Sequence, residues 1–179
     1  FDEVFSINKQ EVLNTKNNSD ILFRGIRTSA GNQTASLKSL QGISTWVLDE
    51  AEELVDENIF DTIDLSIREK DIHNRVILIL NPVTKEHWIY KRFFEDKGVE
   101  GGFNGFKDNV CYIHTNYQDN IENLSQSFLE RIKSIKHTNF KKYTHKILGG
   151  WLDKAEGVVF ENWSIGEFNP DGLQTSCGM

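Results

Sequence analysis

The sequence feature that most constrains the fold of this chain is an apolar stretch followed directly by two adjacent carboxylates. Residues 44–48 end in the apolar run Trp-Val-Leu, and Asp49 and Glu50 follow at once. A short apolar run with polar flanks predicts a buried parallel strand, and open α/β sheets bind ligands at the carboxyl ends of such strands. An acid there can help to hold Mg²⁺ beside a nucleotide, and its neighbour can orient an attacking water. The first turn of a helix also favours acids, so both interpretations stay open.

A second apolar run is predicted to end beside the first. Residues 76–80 are rich in β-branched side chains, and Asn81 and Pro82 end the run abruptly. Helical periodicity over residues 51–70 between the two runs predicts a strand–helix–strand unit with a parallel sheet. Because adjacent parallel strands end at the same edge, Asn81 is expected near Asp49. The Asn-Pro pair is also ordinary turn chemistry, which is the competing interpretation.

Composition excludes several classes of protein. With 179 residues and 38% hydrophobic content, the chain can form one domain, or one domain with an appendage. The net charge of −7 gives no global basic field for nucleic acid, although a local patch would suffice. Cys111 and Cys177 lie far apart without paired-ligand spacing, which argues against a zinc site and a disulfide scaffold. No run approaches the roughly 18 apolar residues that cross a bilayer, so we expect a soluble, cytoplasmic protein without membrane contact.

The remaining pattern predicts further short elements. They are a strand at 21–25, a helix at 86–94, a glycine-rich loop at 98–105, a strand at 110–114, a helical pair over 125–148 that breaks near 137–139, and a last strand at 158–160.

Charged residues offer two further candidate sites. Arg24 and Lys38 lie in or beside the polar loop ahead of the acidic strand end, where they either neutralise phosphate charge or are solvent-exposed loop cations. Residues 131–146 hold six Lys or Arg and no acid, so they either contact a nucleic-acid backbone or balance the acidic block of residues 49–61. Within that block, the acids after Asp49 and Glu50 are expected to form a solvated helix face.

A phosphate-binding loop of the form G-x-x-x-x-G-K-[ST] is absent from the sequence. Without its backbone amides and lysine, a P-loop site cannot hold a nucleotide properly. An ATPase built on this chain would therefore need a first half that precedes Phe1.

Taken in order, the segments resemble the large subunit of tailed-bacteriophage terminases, as found in phages and prophages. Residues 46–53 resemble the Walker B motif of that family, and residues 63–68 its downstream arginine segment. Residues 80–82, with the helix at 87–93, resemble its coupling motif. Shorter similarities occur at 23–25, 37–40, 117–120, 148–151 and 156–160.

The resemblance implies a fold and a domain organisation. The expected fold is a three-layer α/β P-loop NTPase core of the RecA-like type, incomplete at its N-terminus, with a small helical linker subdomain. Residues 1–114 would form the later part of the ATPase core, and residues 115–179 the linker. The Walker A region would precede Phe1, and a metal-dependent nuclease domain would follow Met179.

The resemblance also implies a function. The parent protein would hydrolyse ATP with Mg²⁺ to drive viral double-stranded DNA into a procapsid, whereas the 179 residues alone would be inactive. Asp49 would hold Mg²⁺, Glu50 would activate water, and Asn81 would couple hydrolysis to movement. Lys38, with Arg24 as a second candidate, would act on nucleotide, Lys38 on that of a neighbouring subunit.

Expected partners are DNA, the portal protein, the small terminase subunit and further copies in a pentameric ring, in the host cytoplasm and transiently at the portal vertex. The alternatives are a RecA-like helicase and a non-enzymatic assembly module.

Overall fold

The computed structural model of the chain describes residues 4–26 and 42–153. The strands of this part are β1 (Phe5–Ile7), β2 (Glu11–Asn14), β3 (Asp20–Leu22), β4 (Thr45–Leu48), β5 (Arg75–Leu78), β6 (Gly105–Lys107) and β7 (Val110–Tyr112). Its α-helices are α1 (Glu57–Asp64), α2 (Trp88–Tyr90), α3 (Gln126–Thr138) and α4 (Phe140–Lys142). The helices α2 and α4 continue as π-helical turns over Lys91–Glu95 and Tyr143–Ile147, and 3₁₀ turns cover Ala51–Glu53 and Tyr117–Asn123.

The pairing of β4 with β5 forms the parallel sheet that the two apolar runs predict. Thr45 lies opposite Arg75, and Leu48 lies opposite Leu78. The connection between the strands passes through α1, because two parallel strands need a crossover rather than a tight turn. The two strands therefore end side by side at one edge.

One face of this sheet packs on an aromatic core. The buried residues of that core are Ala51, Leu54, Phe60, Trp88 and Ile89, and residues that pack against it include Trp46, Leu48, Val76 and Leu78 from the two strands. The ring centroid of Phe60 lies 4.8 Å from that of Trp88 and 5.4 Å from that of Trp46. The indole N–H of Trp88 donates to the carbonyl oxygen of Leu54 at 2.5 Å. The core thus fixes the position of the residues that directly follow β4.

The helix predicted over residues 51–70 is shorter than expected. The segment after β4 first forms the 3₁₀ turn Ala51–Glu53, and α1 begins only after Asp56. The Asp56 carboxylate accepts from the backbone N–H of Asn58 at 2.9 Å, which caps the helix and fixes its start. The sequence pattern predicted that these acids form one continuous helix face. That prediction is wrong for the acids of the 3₁₀ turn.

Two sheets differ from the sequence prediction. The strand predicted at 21–25 is β3, and it closes an antiparallel meander β1–β2–β3 whose first two strands were not predicted. The strand predicted at 110–114 ends at Tyr112 and pairs only with β6, in an antiparallel hairpin. Neither sheet shares a ladder with the β4–β5 pair.

The helical prediction after residue 125 is confirmed. The helix α3 ends at Thr138, and Asn139 with φ −149° separates it from α4. The helix predicted at 86–94 is confirmed as α2 with its π-helical turn. In the described ranges, no helix has both the length and the apolar character that a membrane span requires. The predicted strand at 158–160 lies outside the described residues.

Candidate functional site

The turn after β4 is held by backbone hydrogen bonds to the neighbouring strand end. The N–H of Ile79 donates to the carbonyl oxygen of Leu48 at 2.9 Å, and the N–H of Ala51 donates to the carbonyl oxygen of Ile79 at 2.9 Å. Asp49 and Glu50 are the two residues between these anchors. The structure therefore places both carboxylates at the carboxyl edge of the parallel pair, as the sequence predicts.

Glu50 has a left-handed backbone conformation, with φ 51° and ψ 46°. Residues with a Cβ rarely adopt this region, at a cost of roughly 1–2 kcal/mol. The carboxylate of Asp49 accepts from the N–H of Glu50 at 3.1 Å, which supports the turn. Strained residues persist where the surroundings enforce them, and they cluster at functional sites. Asn18, Asp71 and Asp108 share this conformation in the described part of the chain, so at Glu50 it indicates a tightly held turn.

The Asp49–Glu50 turn is chemically suited to Mg²⁺. Both side chains are exposed, and carboxylate oxygens are the hard ligands that this ion prefers. Among the described residues, no group of three or more His, Cys, Asp or Glu is arranged to hold a metal. The turn fits an ion that takes one or two protein carboxylates and completes its shell with phosphate oxygens and waters.

Asn81 reaches the same edge through Glu52. Its side-chain amide donates to Oε1 of Glu52 at 3.1 Å. The second carboxylate oxygen of Glu52 is buried and has no hydrogen-bond partner among the residues that the structure describes. The prediction that Glu52 belongs to a solvated helix face is therefore wrong. The only sequence signal that could have found it is its distance of two residues from Glu50.

His87 lies beside Glu52 at the start of α2. Its Nδ1 accepts from the backbone N–H of Ile89 at 3.3 Å, and its Nε2 is buried without a hydrogen-bond partner in the described part of the chain. Burial lowers the pKa of His87, while the backbone and the charge of Glu52 act in the opposite direction. The neutral imidazole is therefore the favoured form at this position.

Arg24 and the Asp49–Glu50 turn line one groove of about 1000 Å³ between the end of the meander and β4. The guanidinium of Arg24 donates to the carbonyl oxygens of Phe23 at 2.8 Å and Gln10 at 3.3 Å. These hydrogen bonds hold the Arg24 side chain on the meander. Among the described residues, Arg24 and the two acids line the same groove without a hydrogen bond or ion pair between them. Lys38 lies outside the described residues.

The basic segment forms an exposed surface on the helical part. We define the basic helical surface as six exposed cations: Arg131, Lys133, Lys136, Lys141, Lys142 and Lys146. Its neighbour His145 is buried, with Nδ1 2.8 Å from the carbonyl oxygen of Gly150. His145 therefore supports the helix end rather than the surface.

The fold is shared with solved phage proteins. One is the large terminase of a thermophilic bacteriophage in its crystal form 2, with a TM-score of 0.58 and 17% identity over 83% of this chain and 33% of that one. Another is the large terminase of the same phage in complex with ADP, with a TM-score of 0.53 and 18% identity over 84% of this chain and 34% of that one. The chain spans about a third of the length of these proteins. No curated protein sequence matches it.

These likenesses show that the chain shares the fold of large terminases, in agreement with the α/β core predicted from the sequence. A family model described as phage terminase large subunit matches residues 1–150. Since that match covers most of the sequence, the chain belongs to the phage terminase large subunit family.

Proposed function

We propose that the protein is part of an ATP-driven motor that moves viral double-stranded DNA into a procapsid. The observation that carries this proposal is the strained Asp49–Glu50 turn at the carboxyl edge of β4 and β5, in a member of the terminase family. A large terminase of similar fold was solved in complex with ADP, which supports the proposal.

Three side chains would divide the chemistry of hydrolysis. Asp49 would hold Mg²⁺, which neutralises charge on the phosphates when it is bound. Glu50, next to it on the exposed turn, would orient and deprotonate the attacking water. Asn81 would couple hydrolysis to movement, since it lies three residues after the end of β5 and donates a hydrogen bond to Glu52, two residues from Glu50.

Arg24 and Lys38 are proposed as the cations that act on nucleotide. Arg24 lines the groove that also contains the acidic turn, so a modest movement of its side chain would bring its charge toward that turn. A cation in this role offsets the negative charge that phosphoryl transfer spreads over the phosphate oxygens. For Lys38, the proposal rests on sequence position alone.

The phosphate cradle itself is proposed to come from outside these 179 residues, which contain no G-x-x-x-x-G-K-[ST] motif. The chain alone is accordingly expected to show no ATPase activity. The complete protein would also carry a nuclease, assemble as a pentameric ring with the portal and the small terminase subunit, and work in the host cytoplasm at the portal vertex. We further propose the division into residues 1–114 and 115–179.

The basic helical surface is proposed to contact the DNA backbone. Its six cations are exposed on a chain whose net charge is −7, so they form a local attraction for phosphate on an otherwise acidic protein.

Replacing Lys133 and Lys136 with Gln should weaken the salt dependence of DNA binding. The slope of log K against log salt should change by about 0.9 for each phosphate that the variant no longer neutralises. In the matched control, the exposed Lys9 and Lys16 are replaced with Gln, and that slope should stay unchanged.

The central test is ATP turnover by the protein made from the complete gene. Replacing Glu50 with Ala should lower turnover by roughly 10²- to 10⁴-fold, the range for a general base, while nucleotide binding persists. The control is Glu53→Ala, because Glu53 is an exposed acid in the same turn. An unmodified protein without turnover would instead support the assembly module, and a Glu50→Ala protein with normal turnover would refute the assigned role.

A second assay separates the motor from a helicase. A packaging motor should protect DNA from nuclease digestion inside procapsids without separating the strands of a forked duplex. Unwinding of the fork without protection would favour the helicase.

A further inference from the structure

Glu52 joins the two strand ends at the candidate site. It lies in the 3₁₀ turn that follows Glu50 directly, and its Oε1 accepts from the Asn81 amide at 3.1 Å. In the same region, the backbone N–H of Ala51 donates to the carbonyl oxygen of Ile79 at 2.9 Å. The end of β5 is therefore bound to the turn after β4 twice, once through the backbone and once through the Glu52 side chain.

The environment of Glu52 shows that this side chain is held in place. Within residues 4–26 and 42–153, its Oε2 is buried without a hydrogen-bond partner, an arrangement that costs free energy and is rare unless the surroundings enforce it. The neighbouring Leu54 is buried, and its carbonyl oxygen accepts from the Trp88 indole. The turn thus rests on the core on one side and presents its carboxylate to Asn81 on the other.

We propose that Glu52 is a positioning residue that transmits the position of Asn81 to the turn carrying Glu50. This inference rests on the proposed ATPase function. Glu52 makes no contact with nucleotide in this role and acts through its hydrogen bond to the Asn81 amide. Because only one residue separates Glu52 from Glu50, a shift of the Asn81 side chain alters the direction in which the Glu50 carboxylate points.

The proposal predicts a specific pattern of kinetic effects in the complete protein. Glu52→Ala and Asn81→Ala should each lower kcat by roughly ten- to a hundredfold, since misplacement by about 1 Å has effects of this size. The KM for ATP and the affinity for ADP should change by less than about twofold, because neither side chain touches the nucleotide. The double variant should be no slower than the slower single variant, because both substitutions break the same hydrogen bond.

A conservative variant separates the hydrogen bond from the charge. Glu52→Gln keeps an oxygen acceptor for the Asn81 amide, so it should recover most of the wild-type kcat. The control is Glu53→Ala, which removes an exposed acid of the same turn.

Hydrogen exchange provides a readout that does not depend on turnover. In the complete protein, exchange over residues 48–54 should rise in Glu52→Ala and Asn81→Ala, and rise no further in the double variant. Additive losses of kcat, or a Glu52→Gln variant as slow as Glu52→Ala, would overturn the inference. If the variants show this exchange pattern but the wild-type protein has no ATP turnover, the proposed function is overturned, and the kinetic role of Glu52 with it.

Discussion

Replacing Glu50 with glycine should make the chain more stable while it removes the proposed catalytic carboxylate. At φ 51° and ψ 46°, a Cβ costs about 1–2 kcal/mol that glycine avoids. Glycine loses about 0.5–1 kcal/mol more backbone entropy on folding. The hydrogen bond to Asp49 uses the backbone N–H of residue 50 and survives the change. Because the Glu50 side chain is exposed, the net gain is about 0.5–1 kcal/mol.

Urea denaturation of the 179-residue chain measures this difference. Glu50→Ala is the matched control, since it also removes the carboxylate but keeps the Cβ in the left-handed region. Its unfolding free energy should match that of the unmodified chain, whereas Glu50→Gly should unfold at higher urea and at a Tm higher by about 2–4 °C per kcal/mol. Equal stability of the two variants would show that the turn is not strained and would refute the reasoning.

Three further substitutions test the core and its edge by urea denaturation. Trp88→Phe leaves the carbonyl oxygen of Leu54 without its donor, so the unfolding free energy should fall by about 1–3 kcal/mol; an unchanged midpoint would contradict that role. Arg92→Ala removes a partly exposed cation that bridges two carboxylates of α1. The free energy of unfolding should fall by about 1 kcal/mol at low salt and by less at high salt. Burial lowers the pKa of His87 in the folded protein. Its contribution to folding stability is therefore complete above the unfolded pKa of 6.5, and it is lost as the pH falls toward the folded pKa. His87→Asn, which keeps an acceptor at the start of α2, should therefore reduce the loss of stability between about pH 7.5 and 5.5, whereas His73→Asn at an exposed site should not.

The sequence predicts the edge of the sheet well because that edge follows from a few strong signals. The apolar runs at 46–48 and 76–80 are separated by a helix-length segment, which is the connection that two parallel strands need. The positions of Asp49 and Asn81 at one edge then follow. The boundary of α1 is not predictable in the same way, because the 3₁₀ turn is selected by the burial of Ala51 and by the cap at Asp56.

Signals that depend on tertiary packing were missed. Glu52 resembles the other acids of a charged run, and only the packing behind the turn distinguishes it from Glu53. The first strands of the meander are short and partly polar, with Glu11 and Asn14 at the ends of β2, so no alternating apolar pattern marks them.

The packing of Phe60 has a practical consequence for spectroscopy. Its ring packs against both Trp46, three residues before Asp49, and Trp88, directly after His87. Two of the four tryptophans of the chain therefore sense the packing behind the acidic turn. Intrinsic emission can follow rearrangements of that turn without an attached dye, and exchanging either indole for phenylalanine identifies the strand or the helix from which the signal comes.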